Sequence, residues 1–173
     1  MDIEIRPTTA ADAARIAALL ADAFPEEDLR PLVAALLAEP RPVAHGLLAE
    51  GAGRAHGLVV LTPGSLAPSG REVGLLGPLC TAPSARGQGL GGALIRAALA
   101  LAEARALTQV LVLGDPGYYA RFGFRPELAV QPLQALREAW SDAWQACPAS
   151  PSDAAAQSLI LPEPWHDPAL WSA

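Results

Sequence analysis

The chain has 173 residues, enough for one domain whose core needs neither disulfides nor a metal to hold it. Apolar residues make up 51% and charged residues 17%, which excludes a disordered chain. Acids outnumber bases 18 to 12, a net charge of −6, so neither nucleic acid nor an anionic membrane surface is an expected partner.

Ile3 and Ile5 alternate with charged residues and predict a short opening strand, closed by Pro7. Thr9 and Asp12 have capping-box spacing before a helix carrying Ile16, Leu19, Leu20, Ala23 and Phe24 on one face. An acidic loop, Glu26-Glu27-Asp28, leads to a second helix with Leu29, Leu32, Val33, Leu36 and Leu37, ended by Pro40 and Pro42. Two strands, Val43–Glu50 and His56–Leu61, flank a hairpin turn at Gly51-Ala52-Gly53. Thr62–Gly70 reads as a loop. Val73–Thr81 reads as a strand that Gly77-Pro78 must bulge or break, because proline has no N–H for the ladder. A long helix is predicted from Gly89 to Ala104, a strand over Gln109–Leu113, then a short helix and re-extension near Phe124–Val130. Leu133–Trp144 has helical spacing, and Ser158–Leu161 reads as a last strand before a tail holding Trp165 and Trp171. The order argues an α/β fold spanning 1–173 as a single domain, read most firmly over 1–130, with a C-terminal helix, strand and tail over 131–173.

All 12 bases are arginine, so there is no lysine for a Schiff base or a phosphate loop. Cys80 and Cys147 stand apart, and His45, His56 and His166 form no ligand spacing, so no metal is expected. The charged start lacks a signal peptide's apolar stretch, and no uncharged apolar run reaches ~18 residues, which predicts a cytoplasmic protein with no membrane partner.

The chemistry sits between Leu75 and Pro126. Arg86-Gly87-Gln88-Gly89-Leu90-Gly91-Gly92 falls where a strand hands over to a helix. A helix N-terminus offers unpaired N–H groups, glycines let an anion approach them, and Arg86 adds charge, so a phosphate or pyrophosphate site is predicted. The alternative is a glycine-rich turn that only seats the helix. Gly87, Gly89 and Gly92 also satisfy a dinucleotide fingerprint, with Asp115 beyond the next strand. Against an NAD(P)-binding oxidoreductase stand four residues, Pro83 to Arg86, between strand and first glycine, and the better role of Asp115 as a cap before Pro116. Too little chain follows to build a second mononucleotide half.

Pro83-x-x-Arg86-x-x-Gly89-x-Gly91 resembles the R/Q-x-x-G-x-G/A signature of the GNAT superfamily of acyl-CoA-dependent N-acetyltransferases. Leu79-Cys80-Thr81-Ala82-Pro83 looks like that family's bulged fourth strand. Gly114 to Phe124, an aromatic short helix ending in Phe-Gly-Phe, looks like its second hallmark. The resemblance implies a mixed, mostly antiparallel, splayed sheet with helices on both faces. It implies acetyl-CoA or a related acyl-CoA as co-substrate and no metal. The pyrophosphate would rest on the amides of Gly87, Gln88, Gly89, Leu90, Gly91 and Gly92, flanked by Arg86 and Gln88. The pantetheine arm would pair with the backbone of Leu79, Cys80 and Thr81. By the family pattern Tyr119 is the acid that protonates the departing thiolate, with Tyr118 the runner-up. Cys80, in an apolar strand without a cationic neighbour, is read as packing or donor-lining rather than as a covalent acyl carrier.

The expected reaction is direct acetyl transfer to a small-molecule or peptide amine. A noncatalytic acyl-CoA-binding module on the same fold is the alternative. Glu72, His45 or water alone stay open as the base. The acidic loop Glu26-Glu27-Asp28 suits a cationic acceptor, or merely a helix start. The tryptophans leave pocket wall, core or a homodimer contact open.

Overall fold

The computed structural model describes residues 2–172; Met1 and Ala173, the ends of the expected 1–173 domain, lie outside the described residues. Contacts divide the chain into two compact units, Met1–Thr62 with Leu76–Leu101, and Pro63–Leu75 with Ala102–Ala173.

The first unit begins with β1 (Glu4–Pro7), α1 (Ala13–Ala23), α2 (Arg30–Leu36) and β2 (His45–Gly51). β1 runs antiparallel to β2, pairing Ile5 with Ala49, and β2 antiparallel to β3 (Arg54–Ala67), pairing Leu47 with Val59. The hairpin between them turns on Ala52 (φ 50°) and Gly53 (φ 73°), the doubly left-handed turn that matches strand twist. β4 (Glu72–Thr81) neighbours β3, and α3 (Leu90–Ala104) follows. Ile16, Leu19 and Leu20 of α1, Leu32, Val33 and Leu36 of α2, and Leu94, Ile95 and Ala98 of α3 are buried, as the apolar spacing requires.

One charged group is buried among them. Asp12 is 0% exposed, in a 3-10 turn (Ala10–Asp12) ahead of α1. Its carboxylate accepts from the Thr9 N–H at 2.7 Å and from Arg6 at 2.8 and 2.9 Å, and it also pairs with Arg15. Glu50 on β2 closes the network by accepting from Arg6 and Arg15, both at 2.8 Å. The hydrogen bonds from Arg6, foremost, hold the Asp12 carboxyl well below the usual carboxylate range, and Glu50 is lowered for the same first cause. A depressed carboxyl pKa stabilises the fold fully above the unfolded value of ~3.9 and loses that contribution as pH falls below it. Asp12→Ala removes the buried acceptor and leaves Arg6 and Arg15 to Glu50 alone, and should cost about 2 kcal/mol, or roughly 4–8 °C in Tm at pH 7. Calorimetry should find that gap shrinking from pH 7 to pH 2. A gap independent of pH would refute the assignment.

In the second unit β4 begins beside β5 (Val110–Leu113), parallel through Gly74–Val110 and Leu75–Leu111. β5 runs antiparallel to β8 (Trp144–Cys147), and β8 antiparallel to β6 (Arg125–Pro126). The far end of β3 takes β9 (Gln157–Ile160) antiparallel through Ser65–Ile160, and β9 takes β7 (Val130–Gln131) in parallel. α4 (Pro116–Tyr119) sits between β5 and β6 in sequence. With two parallel pairings among otherwise antiparallel ones, the sheet is mixed and mostly antiparallel, and the α/β class expected from the sequence holds. Among the described residues no helix is long and apolar enough to cross a membrane.

Two sequence readings are corrected here and a third is narrowed. Thr62–Gly70 is not a loop: β3 continues to Ala67, because β9 supplies it with a partner, and the turn is confined to Pro68–Arg71. Of the two alternatives at Gly77-Pro78, the break does not occur: β4 runs from Glu72 to Thr81, and Gly77 takes φ 143°, a local distortion that glycine accommodates. The predicted C-terminal helix over Leu133–Trp144 does not form. That segment is irregular, then a 3-10 helix over Glu138–Ala143, and Trp144 opens β8. Pairing with Leu113 overrides the helical spacing, and of Leu133, Leu136, Trp140 and Trp144, which carry that spacing, only Trp144 is buried.

Side chains hold this irregular region. The Glu127 carboxylate, 3% exposed, accepts from Gln109 Nε2 (2.8 Å), from the N–H groups of Ala129 (2.8 Å) and Val130 (3.2 Å), and from that of Ser150 (2.8 Å). Trp144 Nε1 donates to the Val130 carbonyl and Trp171 Nε1 to that of Trp165, and the three indoles meet edge-on or tilted about 6 Å apart. Within this unit the tail tryptophans are core.

Candidate functional site

In the first unit the residues from Leu79 to Gly92 form one continuous piece. The Ala82 N–H donates to the His56 carbonyl at 2.8 Å, fixing the exit of β4 to β3. A 3-10 turn, Pro83–Ala85, follows, with Ala85 buried as its anchor. Arg86 is extended, then Gly87 and Gly89 take φ 75° and 76°. Only glycine enters that region without strain. A Cβ built on either would meet nothing within 4 Å, so the space in front of the loop is open. The Gly89 carbonyl accepts from the Ala93 N–H at 3.1 Å and starts α3. Helix geometry then leaves the N–H groups of Gly89, Leu90, Gly91 and Gly92 without intrahelical partners. Arg86 is exposed, and its guanidinium has no hydrogen-bond or ion-pair partner among the described residues. Gln88 folds back, its Nε2 donating to the Ser84 carbonyl at 3.2 Å, and so closes the loop.

What seats this helix is a residue the sequence reading passed over. A Cβ on Gly57 would lie 2.8 Å from Leu94, 3.3 Å from Leu90 and 3.1 Å from the Cys80 carbonyl. The bare glycine lets α3 lie directly on β3, which fixes its N-terminus relative to Leu79, Cys80 and Thr81. A glycine inside an apolar run is the signal that marks such an approach. Cys80 is buried, and burial pushes its thiol up to about 11, against a backbone hydrogen bond from Leu58. It stays a thiol near neutral pH, unsuited to carry an acyl group.

Between α1 and α2 lies an open cavity of about 320 Å³, lined in part by Phe24, Glu26, Glu27 and Asp28. Asp28 is neutralised by Arg30 (2.7 and 3.0 Å), while Glu26 and Glu27 are exposed. His45 is half-buried on β2.

Tyr119 belongs to the second unit. Asp115 caps its helix, its Oδ1 accepting from the Gly117 N–H at 2.9 Å, the role weighed above against a ribose-binding one. α4 runs into a 3-10 turn and stops at Gly123, φ 91°. The Tyr119 ring is buried, edge-on to Tyr118 (5.3 Å) and Phe124 (5.5 Å). Burial, foremost, and Tyr118 push its phenol above the usual ~10, so it keeps its proton throughout the physiological range. Tyr118 is half-buried, with the Arg121 guanidinium 4.7 Å above its ring. Glu72 is exposed at the start of β4.

The strand, short turn, glycine loop and helix, followed in sequence by a capped aromatic helix, are the elements on which the sequence motifs fell. Residues 43–126 match the family model of the acetyltransferase (GNAT) domain, the family that the sequence motifs resemble. Among solved structures, a GNAT family acetyltransferase from Brucella melitensis in complex with acetyl-CoA is 27% identical, with a TM-score of 0.74 over 95% of this chain and 98% of that one. The GNAT family N-acetyltransferase YhbS from Escherichia coli, in complex with CoA, is 26% identical, with a TM-score of 0.78 over 94% of this chain and 91% of its own. A transcriptional regulator from Bacillus halodurans C-125, 20% identical with a TM-score of 0.63 over 79% of this chain and 98% of that one, shares the fold alone. No curated protein matches the chain.

Proposed function

We propose that this protein transfers an acetyl group from acetyl-CoA to an amine by direct attack. The observation that carries the reading is the open glycine loop at the start of α3, with N–H groups that lack intrahelical partners and, beside it, an exposed Arg86 without a partner among the described residues. It fits a diphosphate: the site supplies neutral donors and one fixed cation, and no side chain fills the space in front of Gly87 and Gly89. Gly87, Gln88, Gly89, Leu90, Gly91 and Gly92 hold the pyrophosphate through the backbone, with Arg86 at its flank. Leu79, Cys80 and Thr81 offer backbone groups to the amide-bearing arm. Bound there, the co-substrate supplies a thioester: the amine nitrogen bonds to its carbonyl carbon, the C–S bond breaks, and the sulfur takes up a proton. Tyr119 gives that proton and regains one from solvent. The amine's surplus proton leaves to water, with Glu72 and His45 the two side-chain candidates for receiving it. The acidic cavity beside Phe24 supports a cationic acceptor.

Isothermal titration of the full chain should give saturable binding of acetyl-CoA and none of NAD. No measurable acetyl-CoA binding would sink this reading and that of a noncatalytic acyl-CoA module together. A thiol-release screen across amines, polyamines, amino acids and peptide N-termini separates those two: turnover with any acceptor supports the enzyme, and binding without turnover supports the module.

A further inference from the structure

Gly114 closes β5, and its backbone does not explain why it is glycine, since its φ is not in the left-handed region. The explanation lies across from it. A Cβ built on Gly114 would fall 3.0 Å from Cδ2 of Tyr119, 3.4 Å from its Cζ, and closer still to Cε2. The edge of the phenol nearest its hydroxyl therefore rests on a bare Cα. That floor is pinned from both sides. The Gly114 N–H donates to the Ala143 carbonyl at 2.9 Å, and the Gly114 carbonyl accepts from Gln145 Nε2 at 3.1 Å. Gln145 is itself only 1% exposed, so its amide cannot swing away. The ring has no easy lateral escape either. Phe124, fully buried, stands edge-on at 5.5 Å and Tyr118 at 5.3 Å, while the Asp115 cap fixes the helix from which the ring springs.

We infer that Gly114, its carbonyl held by Gln145, is a positioning residue: its missing side chain sets where Tyr119 holds its hydroxyl. This rests on Tyr119 being the acid, and the geometry gives Gly114 no contact with substrate to assert. A methyl at 114 has to lift the ring, and a displacement of about an ångström at an acid is worth on the order of 100-fold in rate.

The test is a double-mutant cycle of Gly114→Ala with Tyr119→Phe. The readout is acetyl transfer from acetyl-CoA to hydroxylamine, followed by thiol release with the enzyme-free rate subtracted. Gly114→Ala should lower kcat about 10- to 100-fold with Tyr119 present, leave KM for acetyl-CoA nearly unchanged, and cost nothing further in the Tyr119→Phe background. The chain has two tyrosines, so ring-labelled protein gives two sets of NMR signals that Tyr119→Phe assigns. In Gly114→Ala the cross-peaks between the Tyr119 and Phe124 rings should weaken. Equal losses of kcat in both backgrounds, or unchanged cross-peaks, overturn the positioning role while leaving Tyr119 as acid. If Tyr119→Phe itself leaves kcat unchanged, the acid reading falls and the positioning role with it. Should Gly114→Ala lose its cooperative melt, Gln145→Leu runs the same cycle without adding an atom to the floor. There, coupling to Tyr119→Phe supports the inference, and additivity overturns it.

Discussion

Gly89→Val should weaken acetyl-CoA binding by at least about 100-fold, measured by titration on protein that still melts cooperatively. Two effects combine. Valine at φ 76° costs on the order of 1–2 kcal/mol, because its branched Cβ meets the backbone in the left-handed region, so the loop re-forms with its N–H groups aimed elsewhere. Each charge-assisted hydrogen bond then lost to the diphosphate is worth about 1.5–3 kcal/mol, and two suffice for the predicted change. A Cβ at Gly89 meets no distant neighbour, so the main defect of the variant is conformational. Arg86→Ala should cost less, about tenfold, and its deficit should shrink with added salt, as expected for an exposed charge. Wild-type affinity in Gly89→Val would place the donor phosphates elsewhere.

Tyr119→Phe should lower kcat about 100- to 1000-fold, the usual range for removing a positioned general acid, while leaving KM for acetyl-CoA close to wild type. Phenylalanine keeps the ring that Phe124 and Tyr118 grip, so the fold should survive. The pH profile carries the sharper test. Burial raises the phenol's pKa, so Tyr119 is protonated throughout pH 6 to 9 and contributes no descending limb there. The rate should climb with pH as the acceptor amine loses its proton, and the deficit of the variant should be uniform across that range. A descending limb below pH 9 that vanishes in Tyr119→Phe would contradict a buried donor. An unchanged kcat would shift the role to Tyr118 or to water.

Features fixed by a few neighbouring residues were legible in the sequence. The Thr9 to Asp12 start, the Asp115-Pro116 cap and the open glycine loop before α3 each follow from a local demand, an unpaired N–H to satisfy or a backbone to leave bare. What escaped depends on distant partners. Gly64 looked like a turn residue, yet a Cβ there would meet Leu161 at 2.9 Å: it is glycine so that β9 can come close, ninety-odd residues on in the chain. The Leu133–Trp144 spacing is genuinely helical, and Trp144 is nonetheless drawn into a strand by β5 and β6. Gln109 and Glu127 gave no periodic signal, since their pairing organises irregular chain rather than a helix or strand. The candidate site divides the same way: the loop and Tyr119 were visible as motifs, whereas the close packing of Gly57 on α3 and of Gly114 on the Tyr119 ring was not.

The tryptophan cluster bears on how the protein is made. Trp144 needs Trp171 beside it, and β3, complete by Ala67, waits for β9 at Gln157–Ile160. The second unit therefore cannot finish while the ribosome still shields the segment up to Trp171. Until then the end of β3 travels with an unpaired edge and β8 with an uncovered indole, surfaces that invite chaperones. Slow translation between β8 and Trp171 would lengthen that exposure, and a nonsense codon directly after β8 would make it permanent.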